Sequence, residues 1–131
     1  MSTQTVQALS GCISELLLDR LTEPWSVDRL AATVGLSSRT LHRVLRRELG
    51  LSPMSLLKRV RLDQAKADLE AAGPRTTVTG VAYDCGFGHL GRFAVEYARR
   101  FGESPSQTLR RARARSSRPT LPIGPAVETA A

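Results

Sequence analysis

The 131-residue chain is 41% hydrophobic and carries a formal charge of +7, with Lys58 and Lys66 the only lysines among its 19 cations. That length fits one domain, or two small subdomains on a shared linker, and is short for a catalytic domain with its own cofactor fold. No stretch approaches the roughly 18 continuous apolar residues of a membrane span, and the opening MSTQTVQALS lacks the basic start of a secretory leader. A cytoplasmic protein with a polyanionic partner, nucleic acid first, is therefore expected, against the plainer alternative of a solubilising charge excess.

The first predicted element is an amphipathic helix. Val6, Leu9, Ile13, Leu16, Leu17 and Leu21 recur at i, i+3/i+4, a stripe able to cover the apolar side of the adjacent helix pair. Cys12 and Cys85 stand among apolar residues without CxxC spacing or neighbouring histidines, and are expected as buried, reduced thiols rather than metal ligands.

Next comes that helix pair. Ser26 precedes an apolar run that ends at Gly35, and Ser37 precedes a second helix over Ser38 to Leu49. Successive 100° steps along that helix put Leu41, Val44 and Leu45 on an inward arc and Arg39, Arg43, Arg46 and Arg47 on the opposite one, with His42 at its edge. The alternatives are a solvated face and a DNA-reading face. Four arginines with only Glu48 nearby would repel one another at i,i+4 spacing unless an anion met them, and arginine bonds guanine O6 and N7 in the major groove.

Ser52 and Pro53 then open a linker helix expected to run to about Ala72, where Gly73-Pro74 stops it. A second helix pair follows from Thr76, capped by Thr77, turning at Gly86 and resuming near His89. Its predicted inward arc is Leu90, Phe93, Tyr97 and Phe101, and its outward arc holds Gly91, Val95 and Ala98 flanked by Arg92 and Arg99. That surface suits phosphate anchoring and contact with thymine methyls better than base-edge hydrogen bonds. For Val95 the alternative is a filler residue, and for His89 a polar group that merely starts the helix. The tail 113–131, rich in Arg, Ser and Pro, is expected to be disordered.

The two helix pairs are copies of one unit. WSVDRLAATVG (25–35) lies over TTVTGVAYDCG (76–86) at an offset of 51, and Leu41, Leu45, Gly50 and Ser52-Pro53 match Phe93, Tyr97, Gly102 and Ser104-Pro105 at an offset of 52. The expected fold is thus all-α: two homeodomain-like, three-helix helix-turn-helix subdomains, 6–51 and 76–112, joined by a linker helix over 53–72. No clustered nucleophile and base, phosphate-cradling loop or paired carboxylates speak for an enzyme, and no cofactor or metal is expected. A helical module that binds a protein and has only general DNA affinity is the competing reading.

With the repeat, the linker RVRLDQAKADL and the segment GFGHLGRFAVEYARRFGESPSQTLRR (86–111) in view, the chain resembles the AraC/XylS family of bacterial transcription regulators, from about Leu9 to Arg111. The resemblance implies double-stranded DNA as partner, with each unit's second helix in a major groove, and RNA polymerase as a second partner. It puts base reading at Arg39, His42 and Arg43 in the first unit and at Gly91 and Val95 in the second, where the family often has polar residues. Ser37, Ser38, Arg46, Arg47, His89, Arg92 and Arg99 are the expected phosphate or groove contacts. The chain is expected to act as a monomer, either as a stand-alone regulator or as the DNA-binding portion of a longer protein.

Overall fold

The computed structural model describes residues 3–117, and every regular element among them is a helix. In order these are α1 (Thr3–Asp19), α2 (Val27–Val34), α3 (Ser38–Leu49), α4 (Pro53–Glu70), α5 (Val78–Asp84), α6 (Leu90–Phe101) and α7 (Pro105–Ser117).

The boundaries follow from local chemistry. The hydroxyls of Ser26, Ser37, Ser52 and Thr77 each accept a hydrogen bond from the main-chain N–H three residues on, satisfying a donor that the first helical turn leaves unpaired. The repeat is visible atom by atom at the two turns. Leu36 N–H donates to the Ala31 carbonyl at 2.9 Å, and Phe87 N–H donates to the Ala82 carbonyl at 2.9 Å. These six-residue closures require a left-handed residue at Gly35 (φ 76°) and Gly86 (φ 95°), a region open to glycine without steric cost. Ala31 and Ala82, whose carbonyls accept those bonds, are almost wholly buried, and their small side chains suit a close approach of the paired helices.

Two hydrophobic cores result, and α4 serves both. Leu56 and Leu57 pack with Ile13, Leu17, Trp25, Leu30, Ala31, Leu41 and Leu45. Leu62, Ala65 and Leu69 pack with Val81, Ala82, Cys85, Phe93, Tyr97 and Leu109. Val60 touches each cluster. Burying a leucine stabilises by roughly 1.5 to 3 kcal/mol, so α4 is a shared wall whose five core residues must stay docked on both sides. It ends at Glu70 rather than Ala72. Ala71 N–H closes the last turn onto the Ala67 carbonyl, and the chain then breaks toward Gly73-Pro74.

Three expectations are corrected. Leu21 lies beyond the end of α1 and joins the second core, so the stripe on α1 does not serve the first unit alone. Cys12 is exposed, on the outer side of α1, while Cys85 is buried, its thiol donating to an Asp68 carboxylate oxygen at 3.5 Å. Burial pushes the Cys85 thiol up to about 12, with Asp68 adding to the effect, so it stays protonated at neutral pH. The segment 113–117 is helical, because α7 buries Leu109 and Ala112 and Arg113 donates to the Thr76 carbonyl. The rest of the tail expected to be disordered lies outside the described residues, as does the Val6 side chain.

Candidate nucleic-acid interface

The first candidate surface is the outer face of α3. Leu41 and Leu45 are fully buried, and Arg39, Arg43, Arg46 and Arg47 are exposed on the far side. None of the ion pairs among the described residues includes any of these four arginines. Seven cations elsewhere are paired: Arg20 and Arg29 with Glu23, Lys58 and Arg99 with Glu96, Lys66 with Glu70, Arg100 with Asp63, Arg111 with Glu103. Charge is thus sorted. Five carboxylates pair with cations away from α3 and none pairs with its four exposed arginines, so that face stays positive, which focuses field on a polyanion.

His42 is exposed and its Nδ1 lies 3.0 Å from the Ser38 carbonyl. A carbonyl can only accept, so Nδ1 carries the proton and Nε2 of the neutral ring is left as an outward acceptor. The two serines at the helix start are otherwise engaged. Ser37 Oγ caps the helix through Thr40 N–H at 3.1 Å, and Ser38 Oγ donates to Asp28 Oδ1 at 2.6 Å, stitching α3 to α2 across the turn. Glu48, the one acid on α3, turns inward, with Oε1 buried.

The corresponding face of α6 differs in chemistry. Phe93 and Tyr97 are fully buried, and rings run Phe87, Phe93, Tyr97, Phe101 with centroids 4.7, 5.7 and 4.7 Å apart, fixing the helix by its inner side. Gly91, Arg92, Val95, Ala98 and Arg99 are exposed. Val95 is 54% exposed. Leu90 corrects the predicted arc: it is 42% exposed and adds to the apolar outer surface instead of the core. His89 is the helix cap, Nδ1 accepting from Arg92 N–H at 3.0 Å.

The flank of α6 is braced to α4. Lys58 Nζ donates to Glu96 Oε2 at 2.9 Å, and Arg100 grips Asp63 with two bonds of 2.7 and 3.1 Å. The Lys58 ammonium holds the Glu96 carboxyl below the usual carboxylate range, with Arg99 and Arg92 acting in the same direction against desolvation. Sequence reasoning missed this bracing, because the partners stand 37 or 38 positions apart and no periodicity links them.

Other features lie elsewhere. A concavity between the end of α4 and the start of α5 is walled by Asp68, Thr76, Thr77 and Asp84 and includes none of the exposed α3 or α6 residues. Among the described residues there is no group of three or more side chains able to hold a metal ion, and no helix is long and apolar enough to cross a membrane.

Two capped helix pairs, each presenting an exposed second helix and both mounted on one shared helix, define a tandem helix-turn-helix DNA-binding domain. Residues 30–111 match the model of a helix-turn-helix domain family. A probable thc operon regulatory protein of Rhodococcus erythropolis is 44% identical over 89 residues, which is 67% of this chain and 27% of that protein. A probable AraC family transcriptional regulator from Rhodopseudomonas palustris superposes with a TM-score of 0.68 at 42% identity, covering 76% of this chain and 93% of that one. The DNA-binding domain of the global transcriptional factor AdpA, solved with a target DNA, superposes at 0.71 with 32% identity over 82% of this chain and 94% of its own. The chain belongs to the AraC/XylS family of transcription regulators. It spans about a quarter to a third of the length of the Rhodococcus regulator and of a Pseudomonas putida XylDLEGF operon activator that it also matches.

Proposed function

We propose that this chain binds double-stranded DNA in a sequence-specific way and regulates transcription, with α3 and α6 entering successive major grooves of one duplex. The observation that carries this reading is the set of four exposed arginines gathered on one face of α3, none of them in an ion pair among the described residues.

Arg39, His42 and Arg43 read bases, the arginines by bidentate bonds to guanine and His42 Nε2 by accepting from an exocyclic amine. Gly91 and Val95 form the base-facing surface of α6, Gly91 by letting the backbone approach and Val95 by touching a thymine methyl. Arg46, Arg47, Arg92 and Arg99 hold phosphates. Ser37, Ser38 and His89 sit at helix amino ends, where the dipole favours phosphate oxygens. The two units contribute unequally: α3 supplies most of the hydrogen-bonded specificity, α6 apolar contact and anchoring.

The protein acts as a regulator rather than an enzyme, as a monomer in the cytoplasm, and RNA polymerase is the second partner that family membership favours. Selection of bound sequences from random duplexes, followed by footprinting on the winners, tests the reading. An asymmetric site protected over about two helical turns is expected. Recovery of no preferred sequence would instead favour a protein-interaction module with general DNA affinity.

A further inference from the structure

The linker helix carries exposed cations of its own. Lys58 and Arg59 stand on α4 where its buried face passes from the first core, at Leu57, to the second, at Leu62. A groove begins at Leu51, just past the end of α3, follows Ser55, Lys58 and Arg59, and closes against Glu96, Arg99 and Arg100 of α6. Beyond Lys58 a second groove runs past Arg61 and Glu96 to His89 and Arg92. The charged groups of both grooves are cationic apart from Glu96. Arg59 enters none of the ion pairs among the described residues.

The Glu96 carboxylate is placed as a phosphate would be. One oxygen meets Lys58 Nζ at 2.9 Å and the other lies 3.9 Å from Arg99 Nη1. The two cationic side chains remain 49% and 75% exposed, so a second anion can reach both without any rearrangement of the cores. Exposed ion pairs of this kind contribute little to folding and are readily exchanged.

We propose that Lys58 and Arg59 form a third DNA contact, a clamp for backbone phosphates of the duplex stretch crossing between the two major grooves, with Glu96 holding Lys58 and Arg99 in place until DNA arrives. The clamp rests on the two-groove reading of α3 and α6. It adds affinity without sequence information, because phosphates are the same at every step. Glu96 then acts as a brake: its negative charge opposes the same phosphates that its partners attract.

The test uses the whole chain and its selected duplex, with affinity measured across a salt series for Lys58→Ala, Arg59→Ala and Glu96→Gln. Each lost phosphate contact lowers the slope of log affinity against log salt by about 0.9. Lys58→Ala and Arg59→Ala are each expected to lower it by that amount, equally on all sequences. Phosphate ethylation in the middle of the site, which should block the unmutated protein, is expected to be tolerated by the doubly substituted protein. Glu96→Gln separates a clamp from a structural strut, since it breaks the same ion pair and keeps the lysine. The clamp predicts a gain of about two- to fivefold on every sequence, and a strut predicts a loss like that of Lys58→Ala. Unchanged slopes, a loss with Glu96→Gln, or absence of ethylation interference in the middle of the site overturns the clamp. If sequence preference persists through such a failure, two-groove reading stands alone; if the unmutated protein has no preferred sequence, both fall.

Discussion

The side chain of Arg61 on the linker helix is bonded to the main chain at Leu21: Nε donates to the Leu21 carbonyl at 2.9 Å, and Nη2 reaches on to the Glu23 carbonyl at 3.0 Å. The Leu21 side chain meanwhile lies in the second core, so the loop that leaves α1 is fastened both to α4 and to the far unit. Gly86 lies against the same junction. A β-carbon there would collide with the Leu21 carbonyl oxygen and come within 2.7 Å of Arg61 Nε. The turn of the second unit closes on the fastening of the first.

That geometry separates two glycines that look equivalent in the repeat. Gly35→Ala meets nothing within 4 Å and carries only the left-handed backbone cost, about 1 to 2 kcal/mol. Gly86→Ala adds overpacking against a carbonyl held by Arg61 and by the docking of Leu21 in the second core, for a total of about 2 to 5 kcal/mol. Urea unfolding of the two variants checks the difference, and equal midpoints would count against the junction.

Arg43 and Arg99 should fail differently. On the proposed reading Arg43→Ala removes a base contact, and is expected to cost about 1 to 3 kcal/mol and relax preference at one position. Arg99→Ala is expected to weaken all duplexes evenly and lower the salt slope by about one. Binding titrations on the selected site and on single-base variants distinguish them; uniform losses for both would refute the division of labour between α3 and α6.

Val95 offers a surface probe outside the two cores, because the residue is 54% exposed. If it touches a thymine methyl, replacing that thymine by deoxyuridine should weaken the unmutated protein and leave Val95→Ala indifferent. The methyl group carries roughly 0.8 kcal/mol when fully buried, about a fourfold change in affinity. A deoxyuridine scan that finds no sensitive position in the second half of the site refutes the contact.

Acid should weaken the second unit through Glu103. Tyr97 Oη donates to Thr108 Oγ1 at 2.8 Å, Thr108 donates to Glu103, and Arg111 donates to both oxygens of that carboxylate. The hydrogen bonds from Arg111, then Thr108, hold Glu103 down to about 2, against an ordinary value of 4.5. The folded state therefore binds this proton more weakly than the unfolded chain. The stabilisation is complete above about 4.5 and is lost as pH falls through about 2. Urea midpoints followed from about pH 5 to pH 2 should fall less steeply for Glu103→Gln than for the unmutated protein. Parallel curves would rule out Glu103 as the responsible group.

Much of the fold was legible because its determinants are local. A hydroxyl before an apolar run, a glycine after it and a 100° step around a helix identify α2, α3 and α4 within a residue or two, and the internal repeat transfers the reading to α5 and α6. The arginine face of α3 was legible for the same reason. What stayed hidden depends on partners distant in sequence. The stripe from Val6 to Leu21 assigns Leu21 to α1, but only the folded chain sends it to the other core. Leu90 and Cys12 fit an apolar pattern and are nonetheless exposed, because each lies at the margin of its helix's buried arc where neighbours decide the outcome. Polar composition pointed to disorder from Arg113 onward, yet two buried residues of α7, Leu109 and Ala112, carry the helix on to Ser117.

The bond from Arg61 to Leu21 also bears on how such a protein finds its target among many near-matches. Two heads fastened in this way would measure length as well as letters. On the proposed two-groove reading, one extra base pair between the half-sites would rotate the far one by about 34° and shift it by about 3.4 Å, and the fastening at Leu21 would resist the swivel needed to follow. Correct words at the wrong interval are then passed over, so a short recognition surface selects a rarer address than its base contacts alone would specify.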